Sequence, residues 1–236
     1  MKDGYKAKIC GTTNVEDVRL SANEGADFFG VVVEVGFSMR SQSLDDAVPL
    51  FSRPPIPGVA LIFRMKEERI ETLVRRLDPF ALQFLEPVEL SLVKRLKRDH
   101  PSVQLWQSIH LPQAGKEADF GRIGKTAADY VDAGVDSLLF DTVAVLKGEE
   151  KFGGTGKTCD WNVVKRLIDT MRSPVPVWLA GGINPENVGD ALDIVDPYGI
   201  DLCTGVEARP GKKDPRKISA LMATIRGRST IKGKSK

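Results

Sequence analysis

The feature that most constrains this chain is an alternation. Eight short apolar or β-branched runs, at residues 7–10, 27–33, 59–63, 81–84, 103–109, 137–140, 175–180 and 200–203, are each followed by a helix-compatible segment. Strands separated by helical segments must pair in parallel through crossover helices. Eight such units in 236 residues predict a single α/β domain, a closed (β/α)8 TIM barrel, with an open doubly wound sheet as the alternative.

The punctuation agrees with this reading. Asn14 and Asn184 stand as helix N-caps, Pro185 suits a first helical turn, and Gly25 and Gly134 are placed as C-terminal stops. Asn23-Glu24-Gly25-Ala26-Asp27 and Val131-Asp132-Ala133-Gly134-Val135-Asp136 echo one another, each ending a helix on glycine and entering a strand. The barrel domain is assigned to residues 1–226. Residues 227–236, basic and without periodicity, read as a disordered tail.

Composition narrows the class of ligand. With 34 basic and 32 acidic residues the net charge is +2, too small for a broad electropositive face, so a small-molecule ligand is expected and no nucleic acid. No signal peptide and no run of about 18 apolar residues is present, so no membrane association is expected. Cys10, Cys159 and Cys203 are widely spaced and form no C-x-x-C pair, which argues against a disulfide framework or zinc cluster and fits a reducing cytoplasm.

In a (β/α)8 barrel the chemistry gathers at the C-terminal ends of the strands. The groups placed there are Cys10, Arg40 in the second loop, Gln83, Asp141 and the glycine turns near Gly181 and Gly205. Cys10 could form a thiolate base at the mouth, or be a small buried strand residue. Asp141 follows the apolar Leu138-Leu139-Phe140, either as an acid or as a turn-forming cap. Ala180-Gly181-Gly182-Ile183-Asn184 and Cys203-Thr204-Gly205-Val206-Glu207 follow the last two strands, where barrels commonly bind phosphate. The run Gly153-Gly154-Thr155-Gly156-Lys157-Thr158 lacks the upstream glycine that a nucleotide-binding P-loop requires, and reads as a lid over the mouth.

Several of these segments together resemble the phosphoribosylanthranilate isomerase family. They are Lys8-Ile9-Cys10-Gly11-Thr12-Thr13, Phe140-Asp141-Thr142, the glycine-rich loop followed by Asp160-Trp161, Leu179-Ala180-Gly181-Gly182-Ile183-Asn184-Pro185-Glu186-Asn187-Val188, and Gly205-Val206-Glu207 leading to Pro210-Gly211-Lys212-Lys213-Asp214. The resemblance implies an Amadori rearrangement of a phosphorylated aminosugar, without metal or organic cofactor, by a monomer or homodimer. It further implies that Asp141 is the general acid and Cys10 the general base, their pKa values moved up and down respectively. Arg40 would take the anthranilate carboxylate, Gly182, Thr204 and Gly205 the phosphate, and Asp201 would support the site.

Two departures from the family pattern stand out. Met39 replaces a proline before Arg40, and the fourth strand ends Gln83-Phe84-Leu85-Glu86, with Leu85 where the family has histidine. Neither His100, on a polar helix end, nor His110, at the end of the fifth strand, takes its place by sequence position. The alternatives are therefore a related aminosugar-phosphate isomerase or epimerase with a changed aglycone pocket, or a non-catalytic phosphate-ligand-binding barrel.

Overall fold

The structure, a computed structural model, describes residues 4–146, 149–152 and 157–234. In chain order the elements are β1 (Lys6–Ile9), α1 (Val15–Asn23), β2 (Phe28–Val32), α2 (Leu44–Phe51), β3 (Gly58–Ile62), α3 (Glu67–Leu77), β4 (Ala81–Phe84), α4 (Leu90–Asp99), β5 (Gln104–Pro112) and α5 (Phe120–Ala133). They continue with β6 (Ser137–Leu146), β7 (Glu149–Phe152), α6 (Trp161–Met171), β8 (Val177–Leu179), α7 (Val188–Val195), β9 (Gly199–Leu202), β10 (Glu207–Arg209), β11 (Lys212–Lys213) and α8 (Pro215–Lys234).

Eight strands run parallel in the order β5-β4-β3-β2-β1-β9-β8-β6, and pairing of β5 with β6 closes the ring, as the alternation predicted. Strand β7 is an addition, folding back antiparallel on β6. The β5–β6 pairing extends to His110↔Asp141, Leu111↔Thr142 and Pro112↔Val143, so both strands outrun the apolar segments that announced them.

Alternation along each strand sorts its side chains into two layers. Ala7 and Ile9 of β1 face outward into the large core between strands and helices, which also holds Val18, Leu44, Ile70, Leu73 and Leu192. The opposite face fills the barrel with Val59, Leu61, Trp106, Leu139 and Trp178. At its N-terminal end Trp106 stacks on Trp178 with ring centroids 5.0 Å apart, and Phe28 packs on Phe80 at 5.2 Å. The barrel interior is thus packed with side chains along its length.

The echoed phrases have a shared physical purpose. Asp27 accepts the backbone N–H of Ala7 with Oδ2 and binds Lys6 with Oδ1; Asp136 accepts the N–H of Leu105 and binds Lys97. In both, an aspartate at the helix-to-strand turn ties down the strand before that helix. Asn14 caps α1 through Asp17, and Gly134 ends α5 with φ of 103°. Asn184 does not cap α7: its Oδ1 accepts the N–H groups of Glu186 and Asn187, making a turn ahead of the helix, which starts at Val188.

Of the expected disordered tail, residues 227–234 are helical and continue α8 to Lys234, and 235–236 lie outside the described residues. Tertiary contacts override the weak local pattern. Ile218, Leu221, Met222 and Ile225 are buried, Arg228 grips Asp193 of α7, and the buried Ser229 Oγ accepts the N–H of Tyr5. Among the described residues no helix is long and apolar enough to cross a membrane.

Candidate active site

At the open end of the barrel, an ion pair lies beneath the mouth. Lys8 projects inward from β1, wholly buried, and donates to Asp201 Oδ2 of β9 at 2.8 Å and to Gln83 Oε1 of β4 at 2.9 Å. Gln83 passes the chain on, donating from Nε2 to Ser108 Oγ of β5 at 3.1 Å. Burial works against the Lys8 ammonium, but Asp201 and Cys10 outweigh it and hold its pKa above the ordinary amine value. The second Asp201 oxygen, Oδ1, is buried without a hydrogen-bond partner among the described residues.

Cys10, two residues beyond Lys8 and on the same face of the strand, sits directly above this pair, 6 % exposed. Its N–H extends the β1–β9 ladder to Leu202 O at 2.7 Å, bringing Cys203 alongside it. Side by side at the strand ends, the two thiols are placed for an S–H···S bond, the largest influence on the proton affinity of each. That bond and burial push Cys10 well above the usual thiol range, although Lys8 opposes them. Cys203 is lowered to about 7, by its bond from Cys10 and by Lys213 and Arg40. The downward shift expected for Cys10 is therefore carried by its neighbour.

Gly11 makes this convergence possible. It has φ of +68°, and a Cβ there would lie 2.5 Å from Arg40 Cδ and 2.8 Å from Cys203 Sγ. Arg40 is 8 % exposed and its fork already holds a carboxylate: Nε donates to Glu207 Oε1 at 2.9 Å and Nη2 to Oε2 at 2.6 Å, with Thr204 Oγ1 at 3.4 Å from Nη2. Burial of Glu207 would raise its pKa, but Arg40 and Lys213 bring it below the usual carboxylate value. Lys213 Nζ, wholly buried, donates to Cys10 O and to Glu207 Oε1.

Asp141 enters the mouth from β6, across from these groups. Desolvation raises its pKa, as does Asp201, against the pull of His110, the Thr142 N–H and Lys8. Oδ1 accepts that N–H at 2.7 Å. His110 is its partner in the β5–β6 register, and the imidazole Nε2 lies 2.7 Å from the backbone oxygen of Leu85. His110 thus stands beside Leu85, on the neighbouring strand. His100 is remote from the mouth, paired with Glu71 at 2.8 Å.

The turns after β8 and β9 meet closely. A Cβ on Gly205 would come within 2.0 Å of Ile183 O, so only glycine lets the two loops approach this far. Thr204 and Gly205 open a single 3-10 turn, whose first N–H groups have no partner within the turn. Gly181 and Gly182 precede Ile183 in the facing loop. Of the expected lid, 153–156 lies outside the described residues.

The structure therefore gathers Cys10, Arg40, Gln83, Asp141, Gly181, Gly182, Asp201, Thr204 and Gly205 at one end of the barrel. Lys8, Cys203, Glu207 and Lys213 join them without having been singled out. The signal for Lys8 and Cys203 was present: each is two residues from a chosen group, Cys10 and Asp201, on the same strand face. Among the described residues no cluster of His, Cys, Asp and Glu could hold a metal ion.

A parallel (β/α)8 barrel with acid, thiol and twin glycine loops at its C-terminal mouth belongs to the class of barrels that act on small phosphorylated ligands. Comparison with known proteins makes the assignment specific. Residues 7–224 match the family model for N-(5'-phosphoribosyl)anthranilate (PRA) isomerase, and the chain belongs to that family. It is 34% identical to the N-(5'-phosphoribosyl)anthranilate isomerase of Methanocella arvoryzae over 94% of this chain and 98% of the relative. The crystal structure of the Thermotoga maritima enzyme superposes with a TM-score of 0.77 at 28% identity, covering 94% of this chain and 99% of that one. A phosphoribosyl anthranilate isomerase solved in complex with reduced 1-(o-carboxyphenylamino)-1-deoxyribulose 5-phosphate gives 0.75 at 27% identity, with the same coverage.

Proposed function

We propose that this chain catalyses the Amadori rearrangement of N-(5'-phosphoribosyl)anthranilate to 1-(2-carboxyphenylamino)-1-deoxyribulose 5-phosphate, a step of tryptophan biosynthesis. The observation that carries the reading is the placement of a desolvated carboxyl, Asp141, and a thiol, Cys10, around one barrel mouth, in a chain that matches the isomerase family from residue 7 to 224.

The chemistry needs a proton donor at the furanose ring oxygen and an acceptor at the neighbouring sugar carbon. Asp141, whose carboxyl desolvation pushes above the usual carboxylate value, donates the first proton, and the ring opens to a protonated Schiff base. Cys10 removes the carbon-bound proton, giving an enolamine that tautomerises to the ketone. Lys8 holds Asp201 in place below the thiol, and the unpartnered Asp201 Oδ1 is the acceptor for a sugar hydroxyl. The phosphate is held by the Gly181–Gly182 and Thr204–Gly205 turns. Arg40 keeps its Nη1 edge for the anthranilate carboxylate, since Nε and Nη2 are spent on Glu207 and Thr204.

The described cysteines are all free thiols, and Cys10 must stay reduced to act, which suits the cytoplasm. The direct test adds freshly formed phosphoribosylanthranilate to the pure, folded protein and follows loss of its fluorescence. Turnover above the uncatalysed rate is expected, and its absence would overturn the reading.

A further inference from the structure

We propose that Cys203 is the proton-holding partner of Cys10, so that a hydrogen-bonded pair of thiols, and not a single one, accepts the proton taken from the substrate carbon. This rests on the isomerase reading and adds a group that the reaction does not by itself require.

Lys8 pairs with Asp201 and Ile9 with Leu202, and the Cys10 N–H bonds to Leu202 O, so the next residues on each strand, Cys10 and Cys203, are direct neighbours across a parallel ladder. Alternation points both into the mouth: Cys10 lies on the barrel-interior face and Cys203 packs against the same cluster. Each thiol is accordingly placed to hold a proton for the other.

The charges around the pair are unequal. Lys8 lies beneath Cys10 and Asp201 beneath both; Arg40 and Lys213 face Cys203, with Glu207 behind them taking up part of their charge. Cys203 is thus the sulfur that ionises near neutrality, and Cys10 is the one that donates to it. An S–H alone cannot accept a proton from carbon. A thiol bonded to a thiolate can, provided its own proton leaves as the new one arrives.

The C–H bond of the protonated Schiff base breaks and its electron pair forms the carbon–carbon double bond of the enolamine, neutralising the iminium nitrogen. The proton goes to Cys10 Sγ, while the proton Cys10 held passes to Cys203 Sγ. The pair has then gained one proton and lost its negative charge, and that proton is returned when Asp141 is reprotonated for the next turnover. Cys10 touches the substrate; Cys203 acts through it.

The test measures kcat/KM against pH for the wild type, Cys203→Ser and Cys203→Ala, together with ultraviolet thiolate absorbance of the wild type, Cys203→Ser and Cys10→Ser. In the wild type the acid limb is expected at about 7, with one thiol ionising in the same range. In both Cys203 variants the limb should move up toward the ordinary thiol value of about 8.5, with a loss of roughly tenfold at neutral pH that recovers in alkali. Either substitution should abolish the near-neutral absorbance step, because each thiol depends on the other. Superimposable pH profiles, a loss of equal size at every pH, or a near-neutral step surviving in both single variants would overturn the pair. If the wild type shows no turnover, the isomerase reading fails, and the absorbance titration still decides whether the two thiols share a proton.

Discussion

Lys8 Nζ lies 2.8 Å from Asp201 Oδ2 inside the barrel, joining two adjacent strands just below the catalytic mouth. An ion pair so thoroughly removed from water adds little net stability, since desolvation of both partners offsets their attraction, but losing one partner strands the other. Lys8→Met should therefore cost about 3–5 kcal/mol, read from urea unfolding. The double variant with Asp201→Asn should recover part of that loss. A loss in the double variant equal to the sum of the two single losses would mean that the pair carries no coupling.

Asp141 ties activity to a stability cost. An unfolded aspartate titrates near 3.9, whereas burial raises the folded group above that. Between the two values the folded chain holds more protons than the unfolded one, so stability falls as pH climbs through the window and stays lower above it. Asp141→Asn removes the liability. At neutral pH the variant should melt at a higher temperature than the wild type, and the gain should vanish below about pH 3.5, where both states are protonated. Turnover should meanwhile drop by roughly 10²–10⁴-fold. A lower melting temperature at neutral pH would remove the premise that the carboxyl is strained by burial.

These two groups show how the site could be read from the sequence and where that reading stopped. Asp141 stands out because a carboxylate follows the wholly apolar run Leu138-Leu139-Phe140. Lys8 does not, because a lysine in a strand reads by default as solvent-facing; only its two-residue spacing from Cys10 shows that it points inward. The barrel itself was legible because eight apolar runs alternate with helical segments; the echoed phrases reinforced it, and the structure shows that they share one device, an aspartate tying down the preceding strand at Asp27 and again at Asp136. The lowered thiol was not legible, since it depends on β1 and β9 being neighbours in the closed sheet although they lie at opposite ends of the chain. His110 reaches Leu85 by the same kind of lateral pairing, between β4 and β5.

The last turns of α8 are held by long-range bonds whose worth can be separated. Arg228 and Asp193 form an exposed pair that water screens, so Arg228→Ala should be nearly silent. Ser229 Oγ is the acceptor for the Tyr5 N–H, a buried bond, and Ser229→Ala leaves that donor without its partner, at a cost of about 1–3 kcal/mol. Chemical denaturation of the two variants distinguishes them. A larger loss from Arg228→Ala than from Ser229→Ala would show that the helix end is held by charge.

Gly205 offers a way to damage substrate binding while leaving acid and base in place. A Cβ at this position would sit 2.0 Å from Ile183 O and 2.9 Å from Asn184 Cα, both backbone atoms, so Gly205→Ala must push the turn after β9 away from the turn after β8. If those turns hold the phosphate between them, their separation weakens the anchor that positions the sugar, whereas Cys10 on β1 and Asp141 on β6 stay where their own strands put them. The expected result is a KM raised by about tenfold or more, with a smaller change in kcat, and a parallel loss of affinity for inorganic phosphate as a competitive inhibitor. A fall in kcat at unchanged KM would mean that the turns shape the reacting centre and do not grip the phosphate.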